Sequence, residues 1–179
     1  MTTTITGATG VNQITDDAIT AAKLPTGSVI QVQENFSATS VATSAPAGSA
    51  SALYGLMDGR VYGDLTSVTI TPTNANSKFY IAISCGMSST TASNRGAFGI
   101  ALVKDNTTGY ERSTHPWYPA ASNVSNYAPD QNQTHIVDAT SANAVTFYFK
   151  GYAYNEGSAN QAQVVSFRNA QITVMEIAG

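Results

Sequence analysis

The sequence predicts an all-β protein, a single jelly-roll-like antiparallel β-sandwich preceded by an extended N-terminal arm that carries a short helix. Three observations support this fold class. Charged residues make up only 11% of the chain, against about 25% in an average globular domain. Their place is taken by Ser, Thr and Asn, which compete with the helical backbone for hydrogen bonds. From residue 65 onward, short runs of alternating apolar residues are separated by polar turns, which is typical of strands.

The strand region can be followed element by element. Val68 and Ile70 alternate with threonines up to Pro72, and residues 73–77 (TNANS) form a turn. Buried faces are predicted for Phe79, Ile81 and Ile83, for Phe98, Ile100 and Leu102, and for Val145, Phe147 and Phe149, with Tyr148 on the opposite face. Residues 105–109 form a second turn, and residues 113–133 are irregular. Val165 and Phe167 belong to the penultimate strand, and residues 171–177 form the last.

The first part of the chain differs from the rest, and we divide the sequence into an arm (1–36), a Ser/Ala/Gly-rich connection (37–64) and a sandwich domain (65–179). A short helix is predicted within residues 12–24, because Thr15 or Asp16 can cap it and Pro25 ends it. A first strand follows over residues 28–36. The helix has too few large apolar groups to bury by itself, so the arm is expected to lie on another surface.

Composition and charge argue against several classes of function. The net charge is −3 and the eight Lys and Arg residues are scattered, so no nucleic-acid partner is expected. No apolar run approaches the roughly 20 residues that cross a bilayer, and the N-terminus lacks the features of a signal peptide. We expect synthesis in a cytoplasm and no membrane insertion. Cys85 is the only cysteine, which excludes an intrachain disulfide, and we interpret it as a small buried apolar residue.

Catalysis is not expected, and neither is a metal or another cofactor. His115 and His135 both stand in loop-like sequence and lack the spacing of a zinc site. No G-x-S-x-G sequence presents a nucleophile. The few carboxylates flank turns, where Asp has a structural role, rather than forming the pair that a glycosidase requires.

One segment has the character of a binding surface. Residues 110–127 concentrate aromatic side chains among Pro and Ser, namely Tyr110, His115, Trp117, Tyr118 and Tyr127. Aromatic side chains anchor protein interfaces and stack on sugars. Contact with a receptor or glycan, an interface with another subunit or a capsid, and plain packing of the loop all remain open.

Several short motifs resemble a β domain found in fibre and surface proteins of phages, especially those of marine and cyanobacterial hosts. They are SVTITP (67–72), SK (77–78), AVTFY (144–148) and ITVMEIA (172–178), and residues 11–24 resemble the "AIT-AKL" segments that precede such domains. The motifs occur in the same order as in that family and together span most of the chain. The resemblance implies a virion component, typically a homotrimer.

The resemblance also indicates where such a protein acts. Only about 36 residues precede the β domain and no shaft repeat is present, which favours a capsid decoration (cement) protein or a short head fibre on the virion surface. Ile5, Ile14, Ile19 and Leu24 would then contact the major capsid protein or another virion protein. The alternative is a tail fibre or tip protein that binds a host-surface glycan through the loop around Trp117.

Overall fold

Two antiparallel sheets form the part of the chain that the structure, a computed structural model, describes: residues 24–45, 60–89, 96–110, 130–155 and 163–179. These residues contain nine strands and no helix. The strands are β1 (Val29–Ser37), β2 (Val41–Ala45), β3 (Arg60–Ile70), β4 (Lys78–Ser89), β5 (Gly96–Lys104), β6 (Thr108–Tyr110), β7 (Asp130–Asp138), β8 (Val145–Asn155) and β9 (Gln163–Ile177).

The strand order is that of a jelly roll. The larger sheet runs β1-β9-β4-β7, with β2 pairing along the N-terminal half of β9, and the smaller sheet runs β3-β8-β5-β6. Strands β1 and β2 pair with β9, β3 with β8, β4 with β7 and β5 with β6. This nested pairing is a long antiparallel hairpin rolled over itself, so the predicted all-β sandwich of jelly-roll type is confirmed.

The core lies between the two sheets and is built from the predicted alternating faces. Phe79, Ile81 and Ile83 of β4 are buried, as are Val145, Phe147 and Phe149 of β8. The rings of Phe79 and Phe147 meet edge to face across the sandwich, with centroids 5.3 Å apart. Cys85 is buried in the same cluster, as predicted.

A glycine of β8 allows the two sheets to approach closely. Gly151 of β8 faces Phe167 of β9, and a Cβ atom at residue 151 would lie 2.6 Å from the Phe167 ring. A side chain at this position therefore requires the ring to move. The aromatic side chain fills the space that the glycine leaves open.

The prediction of two separate strands at the end of the chain is wrong. The last two predicted strands are a single strand, β9, which contains a bulge. Between Ser84 and Gly86 of β4, the paired residue on β9 changes from Gln171 to Arg168, so β9 has one extra residue here. Asn169 stands at this bulge with φ +52°, a conformation that Asn tolerates better than most residues. The polar pair Arg168 and Asn169 interrupts the apolar alternation, which is why the sequence suggested two strands.

His135 is also placed differently from the prediction. It belongs to β7, which begins at Asp130 inside the stretch predicted to be irregular, and its side chain is buried. The inward side of β7 carries Gln133 and His135 before Val137. Because two of these three inward residues are polar, the strand has no apolar alternation in the sequence.

The predicted turns and the first strand are found where expected. At the first turn the Ser77 amide donates to the Asn74 carbonyl over 3.1 Å, and at the second the Thr107 amide donates to the Lys104 carbonyl over 2.9 Å. The strand predicted over 28–36 is β1. Strand β2 and the first residues of β3 lie within the stretch 37–64, and the helix predicted within 12–24 lies outside the described residues except for its last residue.

Candidate functional site on the larger sheet

The residues predicted to attach the chain to a particle lie mostly outside the described part. Ile5, Ile14 and Ile19 are not among the described residues, whereas Leu24 is half-buried. Soon after Leu24 the chain is fixed to the end of β9: the Gly27 amide donates to the Ala178 carbonyl over 2.9 Å, and the Ala178 amide donates to the Ser28 carbonyl over 2.8 Å. The first described residues are therefore anchored at the end of the sandwich where β9 ends.

The predicted aromatic segment is represented by Tyr110 alone. His115, Trp117, Tyr118 and Tyr127 lie outside the described residues, so their role stays a prediction. Tyr110 ends β6, is half-buried and packs against the main core. Its ring centroid lies 6.2 Å from that of His135. Burial, followed by the negative charge of Asp138, raises the pKa of the Tyr110 hydroxyl.

One buried carboxylate lies in the last of the motifs that resemble the phage family. Glu176, in the last motif, accepts hydrogen bonds from Gln31 Nε2 (2.6 Å) and from the amide (2.8 Å) and hydroxyl (2.7 Å) of Thr73. Gln31 Nε2 also donates to the Thr71 carbonyl over 2.7 Å. Glu176 therefore joins β1, β9 and the β3–β4 turn at one end of the sandwich.

The charge on Glu176 is maintained by these partners. Burial by itself raises the pKa of this carboxyl, but the hydrogen bonds from Gln31 and Thr73 outweigh burial and lower the pKa below its ordinary value. Glu176 is fully enclosed by the protein. A buried carboxylate with this many donors is a structural element that fixes the turn, so we assign it no reaction.

The outer face of the larger sheet carries an apolar row that spans the sheet. The strand registers place Val32 beside Met175, Met175 beside Tyr80, and Tyr80 beside Ile136, with one residue from each strand. Val32, Tyr80 and Ile136 are 49%, 38% and 67% exposed, and Met175 is half-buried. With strands about 4.8 Å apart, the row is about 15 Å long. We call these four residues the apolar row.

The smaller sheet is different on its outer face. In its described part, Thr69 and Thr146 share a hydrogen bond of 2.8 Å between their hydroxyls. Farther along β8, the Lys150 ammonium pairs with Asp64 and lies 5.4 Å from the ring centroid of Tyr148. Among the side chains that the structure describes, the large hydrophobic residues that are exposed all belong to the larger sheet: Val29, Val32, Phe36, Tyr80 and Ile136. The exposed apolar surface of these side chains thus lies on the larger sheet.

A polar depression of about 370 Å³ opens on the same outer face, at the bulge of β9. It is lined by Gly86 together with Ser84, Cys85, Asp130, Asn132, Arg168 and Asn169. A Cβ at residue 86 would lie 3.2 Å from Arg168 Cγ and Nε and 3.5 Å from Asp130 Oδ1. We call this feature the Gly86 depression. The sequence signal for it was a glycine inside a strand pattern, which indicates a bulge or a close approach.

Two features are absent from the residues that the structure describes. No group of three or more His, Cys, Asp or Glu side chains among them is arranged to hold a metal ion. Within the same residues there is no helix with the length and apolar character that spanning a membrane requires.

Comparisons with known proteins include a distant likeness to a solved viral structure. No protein-family model matches the chain, and no curated protein is found as a relative. A solved structure of infectious bursal disease virus, Gx strain, is similar to this chain with a TM-score of 0.46 and 11% sequence identity. The similarity covers 84% of this chain and 33% of the viral chain, so this chain spans about a third of that protein. The function of the chain is therefore inferred from its own residues.

Proposed function

We propose that this chain is a non-catalytic structural protein on the outer surface of a bacteriophage particle, namely a capsid decoration or cement protein or a short head fibre that acts as a homotrimer. The observation that carries the proposal is the apolar row on the outer face of the larger sheet. Further support comes from the motifs that resemble phage surface proteins; Glu176 of the last motif is bound by Thr73, which directly follows the SVTITP motif. The low content of charged residues is consistent with this assignment.

The apolar row is assigned to the contact between copies of the chain. Single exposed hydrophobic residues are common on protein surfaces, whereas a continuous apolar patch marks an interaction site. Here four neighbouring strands each contribute one residue to the row. In a threefold ring each subunit presents one face to a different surface of the next subunit. The row would thus be covered in the trimer that the family resemblance implies.

Attachment to the shell is assigned to the N-terminal arm, with Ile5, Ile14, Ile19 and Leu24 as apolar contacts. A trimer brings three arms to the shell at once, and such multivalency strengthens weak individual contacts. Contacts made only in the assembled particle stabilise it by mass action, because they favour the folded, assembled state. The function is mechanical and requires no reaction.

The assignment of the apolar row is tested by measuring the mass of the full chain in solution. Sedimentation equilibrium is expected to give three times the 18.6 kDa of one chain. Replacing Tyr80 and Ile136 by Ser should shift the protein to the monomer, because it removes two apolar contacts at the centre and end of the row. The matched control is Thr108→Ala, which changes an exposed residue of the smaller sheet. A monomeric wild-type chain would contradict the trimer, and a Tyr80/Ile136 variant that stays trimeric would contradict the role of the row.

A second candidate function is a tail fibre or tip protein that binds a host-surface glycan. The observation that favours it is the Gly86 depression, which lies on the same sheet face and has polar walls. The aromatic segment around Trp117 is the other proposed glycan contact. Replacing Trp117 and Tyr118 by Ala would reduce adsorption to the host if this function is correct, whereas a decoration protein would tolerate the change.

A further inference from the structure

We propose that the Gly86 depression is a binding site for a neutral, hydroxyl-rich ligand, that is, one sugar unit of a glycan. The proposal concerns a site on the single chain. It does not depend on the particle surface, on the trimer or on the N-terminal arm, so it can fail or succeed separately from the function proposed above.

The shape of the site comes from a glycine and a bulge acting together. Neighbouring strands place Asp130 of β7 and Arg168 of β9 directly beside Gly86 of β4, one on each side. Because residue 86 has no side chain, the outer face is lowered at this point. The extra residue in β9 displaces its backbone here, and bulges commonly redirect side chains next to functional sites. The result is a concave site on the outer face of the larger sheet.

The charges of the site favour a neutral ligand. Arg168 and Asp130 contribute one positive and one negative group on opposite sides of the glycine, and each lies within 3.5 Å of the same point above residue 86. An anion bound there would be repelled by the carboxylate, and a cation by the guanidinium. A ligand without charge avoids both penalties and can hydrogen-bond to both groups.

The remaining walls supply the donors and acceptors that hydroxyl groups need. Asn132, Asn169 and Ser84 line the depression, and amide and hydroxyl side chains each donate and accept. Arg168 adds up to five donors in a planar fork, and Asp130 adds acceptors. Each sugar hydroxyl is both a donor and an acceptor, so several neighbouring hydroxyls can be satisfied at once.

An exposed aromatic side chain stands in line with the depression. The registers place Phe36 beside Gln171, Gln171 beside Ser84, and Ser84 beside Asn132. Phe36 is 58% exposed and points to the same outer face, and two strand spacings put it about 10 Å from Ser84. An aromatic ring offers an apolar face for a sugar to cover. A glycan of more than one unit could therefore fill the depression and reach Phe36.

The test is a titration of the full chain, labelled with ¹⁵N, with methyl galactoside, methyl mannoside, methyl glucoside and inorganic phosphate. The expected result is saturable shifts of the amide signals of Gly86, Asn132 and Arg168 with at least one of the glycosides and weaker or no shifts with phosphate. Gly86→Val places a branched side chain between Arg168 and Asp130 and should weaken binding by about tenfold or more. Valine suits a strand, and the atom nearest to its Cβ belongs to the Arg168 side chain, which can move slightly.

Two further variants make the titration decisive. Ala82→Val is the matched control, because Ala82 points outward from the same strand four residues before Gly86, and it should bind as the wild type does. Asn132→Ala removes one polar wall without filling the depression and should also weaken binding, so the proposal stays testable if Gly86→Val does not fold. Absence of saturable shifts with all three glycosides overturns the proposal. Shifts that persist unchanged in both Gly86→Val and Asn132→Ala, or tighter binding of phosphate, overturn it as well.

Discussion

Glu176 and Thr73 are 103 residues apart in the chain, yet the carboxylate of Glu176 accepts a hydrogen bond of 2.8 Å from the main-chain amide of Thr73. The Thr73 hydroxyl donates to the same carboxylate oxygen. This double contact fixes the turn between β3, in the smaller sheet, and β4, in the larger one. The turn after β3 and the end of β9 therefore form one structural unit.

Replacing Glu176 by Gln should lower the free energy of unfolding by about 2 kcal/mol, because an amide accepts fewer hydrogen bonds and leaves buried donors without partners. The variant should also change the pH dependence. The pKa of Glu176 is lowered in the folded state, so its contribution to stability is present above the ordinary pKa of 4.5 and is lost as the pH falls below it. Urea unfolding at several pH values measures both effects. A wild-type acid dependence that persists unchanged in Glu176→Gln would contradict this role.

Replacing Gly151 by Ala should destabilise the sandwich by about 2 kcal/mol, because the new methyl group overlaps the Phe167 ring. The double variant Gly151→Ala, Phe167→Leu tests the cause, since a smaller side chain at residue 167 makes room for the methyl group. Thermal and urea unfolding of the two single variants and the double variant should give a coupling between the sites. If the two effects simply add, the proposed contact does not limit the approach of the sheets.

Cys85 should be unreactive in the folded protein. Burial, together with the negative charge of Asp130, raises the pKa of its thiol from 9.0 to about 12, so the reactive thiolate is about a thousandfold scarcer than in an exposed cysteine. Ellman's reagent at pH 8 should label the thiol only after unfolding in denaturant. Stability should also decline between pH 9.0 and about 12, because the unfolded chain releases this proton first, and Cys85→Ala should lack this component. Rapid labelling of the folded chain would contradict the buried position.

Deleting residues 1–24 should abolish binding to particles while leaving a folded trimer. The contacts of Gly27 and Ser28 with the end of β9 remain in this variant, so the sandwich keeps its anchored edge. Co-sedimentation with particles that lack the protein measures binding, and circular dichroism with sedimentation equilibrium checks the fold and the trimer. Full particle binding by the shortened chain would contradict the role of the arm.

The parts of the fold that could be predicted from the sequence are those in which one strand face is apolar. Phe147 and Phe149 identified β8 in this way, and Phe79 and Ile81 identified β4, because burial of alternate residues leaves a period of two in the sequence. Strand β7 was not predicted because its inward residues include the polar Gln133 and His135. Both form hydrogen bonds in the core: Gln133 Nε2 donates to the Ile100 carbonyl, and the side chains of Gln133 and His135 are hydrogen-bonded to each other.

The candidate site depends on relations between strands that are distant in sequence. Tyr80 and Ile136 each interrupt a polar outward face within one strand, but their alignment with Val32 and Met175 depends on the registers of four strands. The Gly86 depression likewise combines a glycine of β4 with a bulge of β9. A single sequence contains the residues but does not specify which strands become neighbours. Pairing between distant segments therefore limited the prediction of both features.

The central claim, a structural protein on the surface of a phage particle, is tested most directly by immunogold electron microscopy of intact particles with an antibody against the sandwich. We expect gold over the head, where a decoration protein or head fibre would lie. Gold confined to the tail tip would contradict the decoration function and favour the receptor-binding alternative. Particles that carry no gold, although the same antibody detects the isolated protein, would contradict a place on the virion altogether.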